Sequence, residues 1–173
     1  GGRKRSVSKT CQSCRFDLKN APEQEPYSDV QHHLLDDDWL REFAGFFWGE
    51  GSAMILPNGN SYTAKISLTL RRDDLPLLQA VQRRLGGSLA WTGYRNKHRQ
   101  VAWNVTGLEC VKAVCELLLS ASDLPAHKRG DMKLVLDFCD WRLPNLGCPL
   151  SDEDRTEMER RYQELQDYRD LDC

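Results

Sequence analysis

The sequence lacks a long apolar run and a secretion signal. Its longest apolar stretches, such as Phe43 to Trp48, are much shorter than the ~20 residues that a membrane-spanning helix needs. Arg3, Lys4 and Arg5 are followed by polar residues rather than by the apolar segment of a signal peptide. We therefore expect a protein that has no membrane partner and is not secreted.

The sequence also lacks the even cysteine set of a disulfide scaffold, because its seven cysteines are an odd number. Cys110, Cys115 and Cys139 fall in apolar helical patterns, which is typical of small core residues. A disulfide scaffold is not indicated, and we expect an intracellular location such as the cytoplasm, the nucleoid or an organelle matrix.

Excess positive charge is absent as well, since 24 basic and 26 acidic residues give a net charge of −2. The charge is instead segregated along the chain. Residues 52–107 carry eight Lys/Arg against two acids, whereas residues 23–51 carry one against eight and residues 151–173 carry four against nine. A basic middle between acidic flanks is typical of a phosphate-contacting face, although a solvated charged surface would look similar.

Three regions are predicted. Residues 1–35 form a polar arm that carries six Lys/Arg in its first 22 positions and has no sustained periodicity. Residues 36–143 hold the regular core. Residues 144–173 begin with a Pro/Gly break and continue as an acidic amphipathic helix that starts near Ser151.

The core alternates helices with hairpins. Capping residues and apolar periodicity predict helices over Trp39–Trp48, Leu75–Leu85, Leu108–Ser120 and about Gly130–Trp141. Alternating residues and turn signals predict strand pairs Ser52–Leu56 with Ser61–Arg71 and Ser88–Arg95 with Arg99–Thr106. This order predicts an α+β fold with helices on one face of an antiparallel sheet and a polar, basic opposite face.

The segment Phe43-Ala44-Gly45-Phe46-Phe47-Trp48-Gly49-Glu50-Gly51 resembles the LAGLIDADG motif, with Ala, Gly, Gly, an acid and the final Gly in the same positions. The element order from Asp38 to about Arg142 resembles the same family. Tyr62–Leu70 is similar to its second strand and His127–Leu136 to its late loop and helix. The resemblance is to single-motif LAGLIDADG homing endonucleases and implies an αββαββα fold with a saddle-shaped antiparallel sheet.

The resemblance implies a homodimer, because each chain has one motif and a double-strand cut needs two. Ala44 and Gly45 are small and let two motif helices approach across a two-fold axis, with Trp48 beside them. We expect a site-specific, Mg²⁺-dependent endonuclease that makes staggered cuts across the minor groove of a near-palindromic target, as in intron homing by a mobile genetic element. The alternative is a cleavage-inactive DNA- or RNA-binding protein of the same fold, a maturase or a transcriptional regulator.

The resemblance also implies roles for four residues. Glu50 and the carbonyl of Gly49 would hold Mg²⁺, with two or more ions per dimer; read alone, the same residues are a helix cap with a solvated acid. Lys128 would lie near the scissile phosphate, or it is a surface lysine. Asp74 occupies a polar, water-ordering position, or it caps a helix. The sequence departs from the motif in having Trp48 at the first acidic position and Glu at the second.

Double-stranded DNA would lie along the polar face of the sheet. The candidate contacts on that face and at the second hairpin tip are Lys65, Ser67, Thr69, Arg71, Gln100 and Asn104, with Arg95, Lys97 and Arg99. The sequence does not assign Trp91 to either face of the sheet.

Cys11 and Cys14 in the arm have the spacing of half a zinc site. The chain contains no second CxxC, so His32, His33, Cys148, Cys173 or a partner arm would have to complete it. Free thiols in a phosphate-contacting arm are favoured over zinc.

Overall fold

The computed structural model describes residues 36–92, 100–123 and 127–171. Its helices are α1 (Asp37–Glu50), α2 (Leu75–Leu85), α3 (Leu108–Ala121), α4 (His127–Arg142) and α5 (Asp152–Asp170). Its strands are β1 (Gly51–Asn58), β2 (Ser61–Arg71), β3 (Ser88–Thr92) and β4 (Gln100–Thr106). Short 3₁₀ turns at Arg72–Asp74 and Leu143–Asn145 follow β2 and α4.

The described strands form one antiparallel sheet in the order β1-β2-β4-β3. β1 and β2 are joined by a tight turn in which Gly59 has φ +59°, a conformation that glycine adopts without a steric penalty. The α+β fold and its helix, hairpin, helix, hairpin, helices order are as predicted.

The motif helix α1 begins at an aspartate cap. The side chain of Asp36 accepts a hydrogen bond from the backbone N–H of Asp38 at 3.1 Å, which satisfies one of the free donors of the first turn. The helix extends to Glu50, and the C-cap is Gly51. Our prediction placed Glu50 just past the helix end; it is in fact the last helical residue, because the backbone N–H of Gly51 still bonds to the carbonyl of Phe47.

The core lies between the helices and one face of the sheet. Ile66, Leu68 and Trp103 on that face are fully buried, as are Phe47 of α1 and Phe138 of α4. Each large apolar side chain removed from water contributes about 1.5–3 kcal/mol, so these contacts fix the helices against the sheet.

The acidic C-terminal helix α5 packs into the same core. Ser151 and Asp154 form a reciprocal capping box at its start, and Met158 and Leu165 are fully buried. Tyr62 of β2 donates a hydrogen bond to Glu159, which raises the pKa of Tyr62 to about 12. The α5 helix therefore covers the core side of β1 and β2.

The cysteines follow the prediction only in part. Cys115 and Cys139 are buried thiols between α3 and α4, and burial raises the pKa of both. Cys110 is only partly buried and is disulfide-bonded, which corrects the expectation that it is a core thiol.

Among the described helices, none combines the length and the apolar character needed to span a membrane.

Candidate functional site

The C-terminal end of α1 meets the first turn of α4. Lys128 Nζ donates a hydrogen bond to the carbonyl oxygen of Gly49 at 2.5 Å, although the two residues are 79 positions apart. Glu50, the next residue, is exposed. The structure therefore brings Gly49, Glu50 and Lys128 to one place.

This end of the helix presents carbonyl and carboxylate oxygens that could bind a cation. The last carbonyls of a helix lack intrahelical partners and carry the negative end of its dipole, and the last turn of α1 contains no basic residue. The ammonium of Lys128, supplied by another helix, donates to one of these carbonyls, that of Gly49. In residues 36–92, 100–123 and 127–171, no three His, Cys, Asp or Glu side chains cluster as a complete metal site.

Arg129, which was not among the predicted site residues, joins the start of α4 to the two residues that follow α3. Its guanidinium bonds to the carbonyl of Ser122 and to Asp123 Oδ1 at 3.3 Å, and its centre lies 6.0 Å from the ring of Trp48. The basic run beginning at His127 was the available signal, but only Lys128 was singled out from it.

Asp74 lies at the junction between β2 and α2. It occupies the N-cap position of α2 but makes no side-chain cap hydrogen bond. Because Gly51 pairs with Leu68, the end of β2 and Asp74 beyond it lie toward the same end of the sheet as Glu50. No hydrogen bond or ion pair within the described part of the chain joins Asp74 to Glu50 or Lys128.

The exposed side of α1 differs from the predicted dimer contact. Ala44 is fully buried and Trp48 is 7% exposed, so both face the core of their own chain. Gly45 and Gly49 instead lie on the open side with Phe46, which is 37% exposed. A Cβ added at either glycine would meet no atom of the described residues within 4 Å. We call Gly45, Phe46 and Gly49 the open strip of α1; of the three predicted contacts, it retains only Gly45.

The sheet face opposite the core carries the predicted polar residues. The strand register pairs Lys65 with Thr106, Ser67 with Asn104, Thr69 with Ala102 and Arg71 with Gln100. Cross-strand partners point to the same face of a sheet, so all six candidates from β2 and β4 share one face. Thr69, Arg71 and Gln100 are exposed.

Ser67 and Asn104 are less available than predicted. Ser67 is 9% exposed, and its hydroxyl donates to Asn104 Oδ1 at 2.9 Å. The amide of Asn104 also donates to the carbonyl of Ala102 at 3.4 Å. These two side chains bond to each other across the strands. Arg71 and Gln100 are therefore the stronger candidates for contacting a ligand on this face.

Of the remaining predicted positions, Trp91 lies in the described part of the chain and the others lie outside it. Trp91 pairs with Val101, which places it on the core side of the sheet, yet at the edge strand it is 57% exposed. The predicted contacts at the second hairpin tip and in the arm lie outside the described residues: Arg95, Lys97, Arg99, Cys11 and Cys14.

Known proteins match this chain in structure rather than in sequence. No protein-family model and no curated protein sequence matches it. The homing endonuclease I-CvuI, solved in complex with its target in the presence of calcium, is 21% identical with a TM-score of 0.61 over 79% of this chain and 84% of that one. The archaeal intron-encoded homing endonuclease I-Vdi141I, complexed with DNA, is 15% identical with a TM-score of 0.63 over 77% of this chain and 86% of that one.

The LAGLIDADG meganuclease I-AabMI, bound to uncleaved DNA, is 17% identical with a TM-score of 0.59. That match covers 74% of this chain but only 44% of the other, which is a longer protein. Likeness at these identities establishes the fold, and the chain therefore has the fold of the LAGLIDADG homing endonucleases.

Proposed function

We propose that two copies of this chain form a site-specific, Mg²⁺-dependent DNA endonuclease that makes staggered double-strand cuts. The observation that carries the proposal is the hydrogen bond from the Lys128 ammonium to the Gly49 carbonyl, directly beside the exposed Glu50 at the end of the motif helix. The solved structures of the same fold, two of them homing endonucleases in complex with DNA or a target, support DNA as the ligand.

The oxygen donors at this end of α1 fit a hard divalent cation. Mg²⁺ prefers one or two carboxylates together with carbonyl oxygens, water and substrate phosphate. Glu50 is exposed and the Gly49 carbonyl already accepts a cationic group. Two chains would supply two such sets, which suits two or more ions per dimer. When bound, Mg²⁺ polarises the phosphoryl oxygen and lowers the pKa of a water molecule.

Lys128 contributes positive charge at the same place. Its ammonium is hydrogen-bonded to the helix end, so it is positioned to stabilise the negative charge that develops on a phosphate during hydrolysis. Lys128 thereby acts on the reacting phosphate, while Glu50 and the Gly49 carbonyl act on the cation.

The open strip of α1 supports a dimer. A glycine in a helix interior, such as Gly45, costs about 1 kcal/mol relative to alanine, and among the described residues no neighbour lies within 4 Å of a Cβ built at Gly45 or Gly49. Glycines four residues apart let two helices approach closely. Pairing these strips across a two-fold axis would place the two Glu50 residues on either side of that axis and would match a near-palindromic target.

The polar face of the sheet supplies the DNA contacts in this proposal. Arg71 is suited to guanine and Gln100 to adenine, because their side chains make paired hydrogen bonds to those bases in the major groove. They are direct cross-strand neighbours and are both exposed. A mobile intron that encodes such an enzyme would use it for homing.

The test is cleavage-site selection on a random DNA library in Mg²⁺, with Glu50→Gln and Glu42→Gln compared to the parent. Glu42 is an exposed acid of the same helix and is the matched control. We expect discrete staggered cuts by the parent and by Glu42→Gln, and binding without cutting by Glu50→Gln. Cutting by Glu50→Gln at the parent rate would show that the assignment of Glu50 is wrong.

The same experiment distinguishes the alternative, a cleavage-inactive DNA- or RNA-binding protein. It predicts tight, salt-sensitive DNA or RNA binding by the parent with no product in Mg²⁺ at any concentration of enzyme.

A further inference from the structure

The last turn of α5 lies against the first turn of α4. The ring of Tyr168 stacks on the imidazole of His127, with centroids 4.4 Å apart and planes within 8°. The Tyr168 hydroxyl donates to the carbonyl of His127 at 3.4 Å. Gly130 makes room for this contact, since a Cβ there would lie 2.0 Å from the Tyr168 hydroxyl oxygen. The residues on both sides of Lys128 are thus packed against Tyr168.

Arg169 extends the contact to the strand that follows the motif helix. Its Nε donates to Asp131 Oδ2 at 3.2 Å, and one of its Nη atoms donates to the carbonyl of Ala53 in β1. The Asp131 side chain is 7% exposed. A buried carboxylate needs such a partner. Arg169 therefore links the turn that carries Lys128 to the strand that begins directly after Glu50.

The position of Lys128 at the proposed cleavage centre depends on the backbone that carries it. Lys128 has a long, flexible side chain, and its ammonium reaches Gly49 only if the backbone of the first turn of α4 stays in place. Small displacements of a catalytic group carry large rate penalties, because the productive geometry must be formed in advance.

We propose that Tyr168 and Arg169 are positioning residues for the cleavage centre: α5 holds the first turn of α4, and through it Lys128, at the end of the motif helix. This inference rests on the proposed function. It gives the acidic C-terminal helix, whose charge does not suit DNA, a role in cleavage without DNA contact.

The main variants are Tyr168→Ala, which removes both the stacking and the hydrogen bond, and Tyr168→Phe, which keeps the stacking. Asp170→Ala, at an exposed position of the same turn, is the matched control. Arg169→Lys is a further variant, because a single ammonium cannot reproduce two donors directed at Asp131 and Ala53.

The first readout is single-turnover cleavage of the selected target, together with DNA binding in Ca²⁺. We expect Tyr168→Ala to slow cleavage by roughly tenfold or more while the binding constant stays within about twofold. Tyr168→Phe and Asp170→Ala should keep rates near the parent, and Arg169→Lys should be slowed. In a Lys128→Ala background, Tyr168→Ala should add little, since residues that act through one another are not additive. An equal loss in both backgrounds would overturn the proposal.

The second readout does not need cleavage. Amide hydrogen exchange across residues 127–131 should be faster in Tyr168→Ala than in the parent, with exchange in β2 unchanged. If the parent cuts no DNA, the proposed function has failed, and exchange still decides whether α5 holds this turn. Unchanged exchange in Tyr168→Ala would refute the positioning role whether or not the parent cleaves.

Discussion

Replacing Gly45 by alanine separates the stability of the chain from its association. In the part of the single chain that the structure describes, the new Cβ would meet nothing within 4 Å, so the substitution should act only through helix propensity. Alanine is favoured over glycine by about 1 kcal/mol in a helix interior. For a domain of this size that gain raises the Tm by roughly 2–4 °C. We therefore expect Gly45→Ala to stabilise the monomer.

The same methyl group should weaken the dimer. If two α1 helices pack along the open strip, each copy of the substitution inserts a methyl group into a close backbone contact. Overpacking costs about 1–3 kcal/mol per site, and the two-fold axis repeats the clash. The dimer dissociation constant should rise at least roughly tenfold, since each 1.4 kcal/mol corresponds to a factor of ten.

Sedimentation over a range of concentrations would measure association, and guanidinium unfolding of dilute protein would measure monomer stability. Ala113→Gly is the calibrating control, because Ala113 is an exposed residue of α3; it should lower stability by about 1 kcal/mol and leave association unchanged. A Gly45→Ala variant that is more stable but dimerises as tightly as the parent would refute the assignment of the open strip as the interface.

Three further predictions follow from local contacts. Gly51→Ala should destabilise the fold by about 1–3 kcal/mol in urea unfolding, because its Cβ would lie 2.4 Å from the Phe47 ring; wild-type stability would contradict this. Hydrogen bonds from Arg160 and Arg161 lower the pKa of Glu157 from 4.5 to about 2, so its contribution is complete above pH 4.5 and is lost as the pH falls toward 2. Acid unfolding of Glu157→Gln should accordingly be less steep over that interval, and an unchanged slope would count against the ion pair. Arg71→Ala should cost about 1–3 kcal/mol for one base pair in competition binding, whereas a uniform loss across sequences would indicate a phosphate contact instead.

The elements were predictable because their signals are local. The alternation of Ala64, Ile66 and Leu68 with polar residues assigns the two faces of β2 without reference to any other strand, and the structure buries all three. Helix α2 begins and ends where its apolar stripe and its glycines predicted. The site was predictable only through the resemblance, since nothing in the local pattern of Lys128 distinguishes it from a surface lysine.

The orientation of the motif helix was not predictable. Phe43 to Trp48 is apolar almost all around the helix, so periodicity cannot assign one side to the core. Tertiary packing buries Ala44 and Trp48 and leaves Gly45 and Phe46 on the open side. For this reason periodicity did not reveal that Ala44 and Trp48 are buried within their own chain, and the dimer contact itself stays a prediction.

The sequence by itself determined the helices and strands, the polar and apolar faces of the sheet, and the motif that contains Glu50. Tertiary structure alone decided that the ammonium of Lys128 reaches the carbonyl of Gly49 and that Tyr168 and Arg169 brace the turn that carries it. Hydrophobic periodicity records which side of each element avoids water. Contacts between residues far apart in the chain depend on how those elements pack against one another, and no local pattern encodes that arrangement.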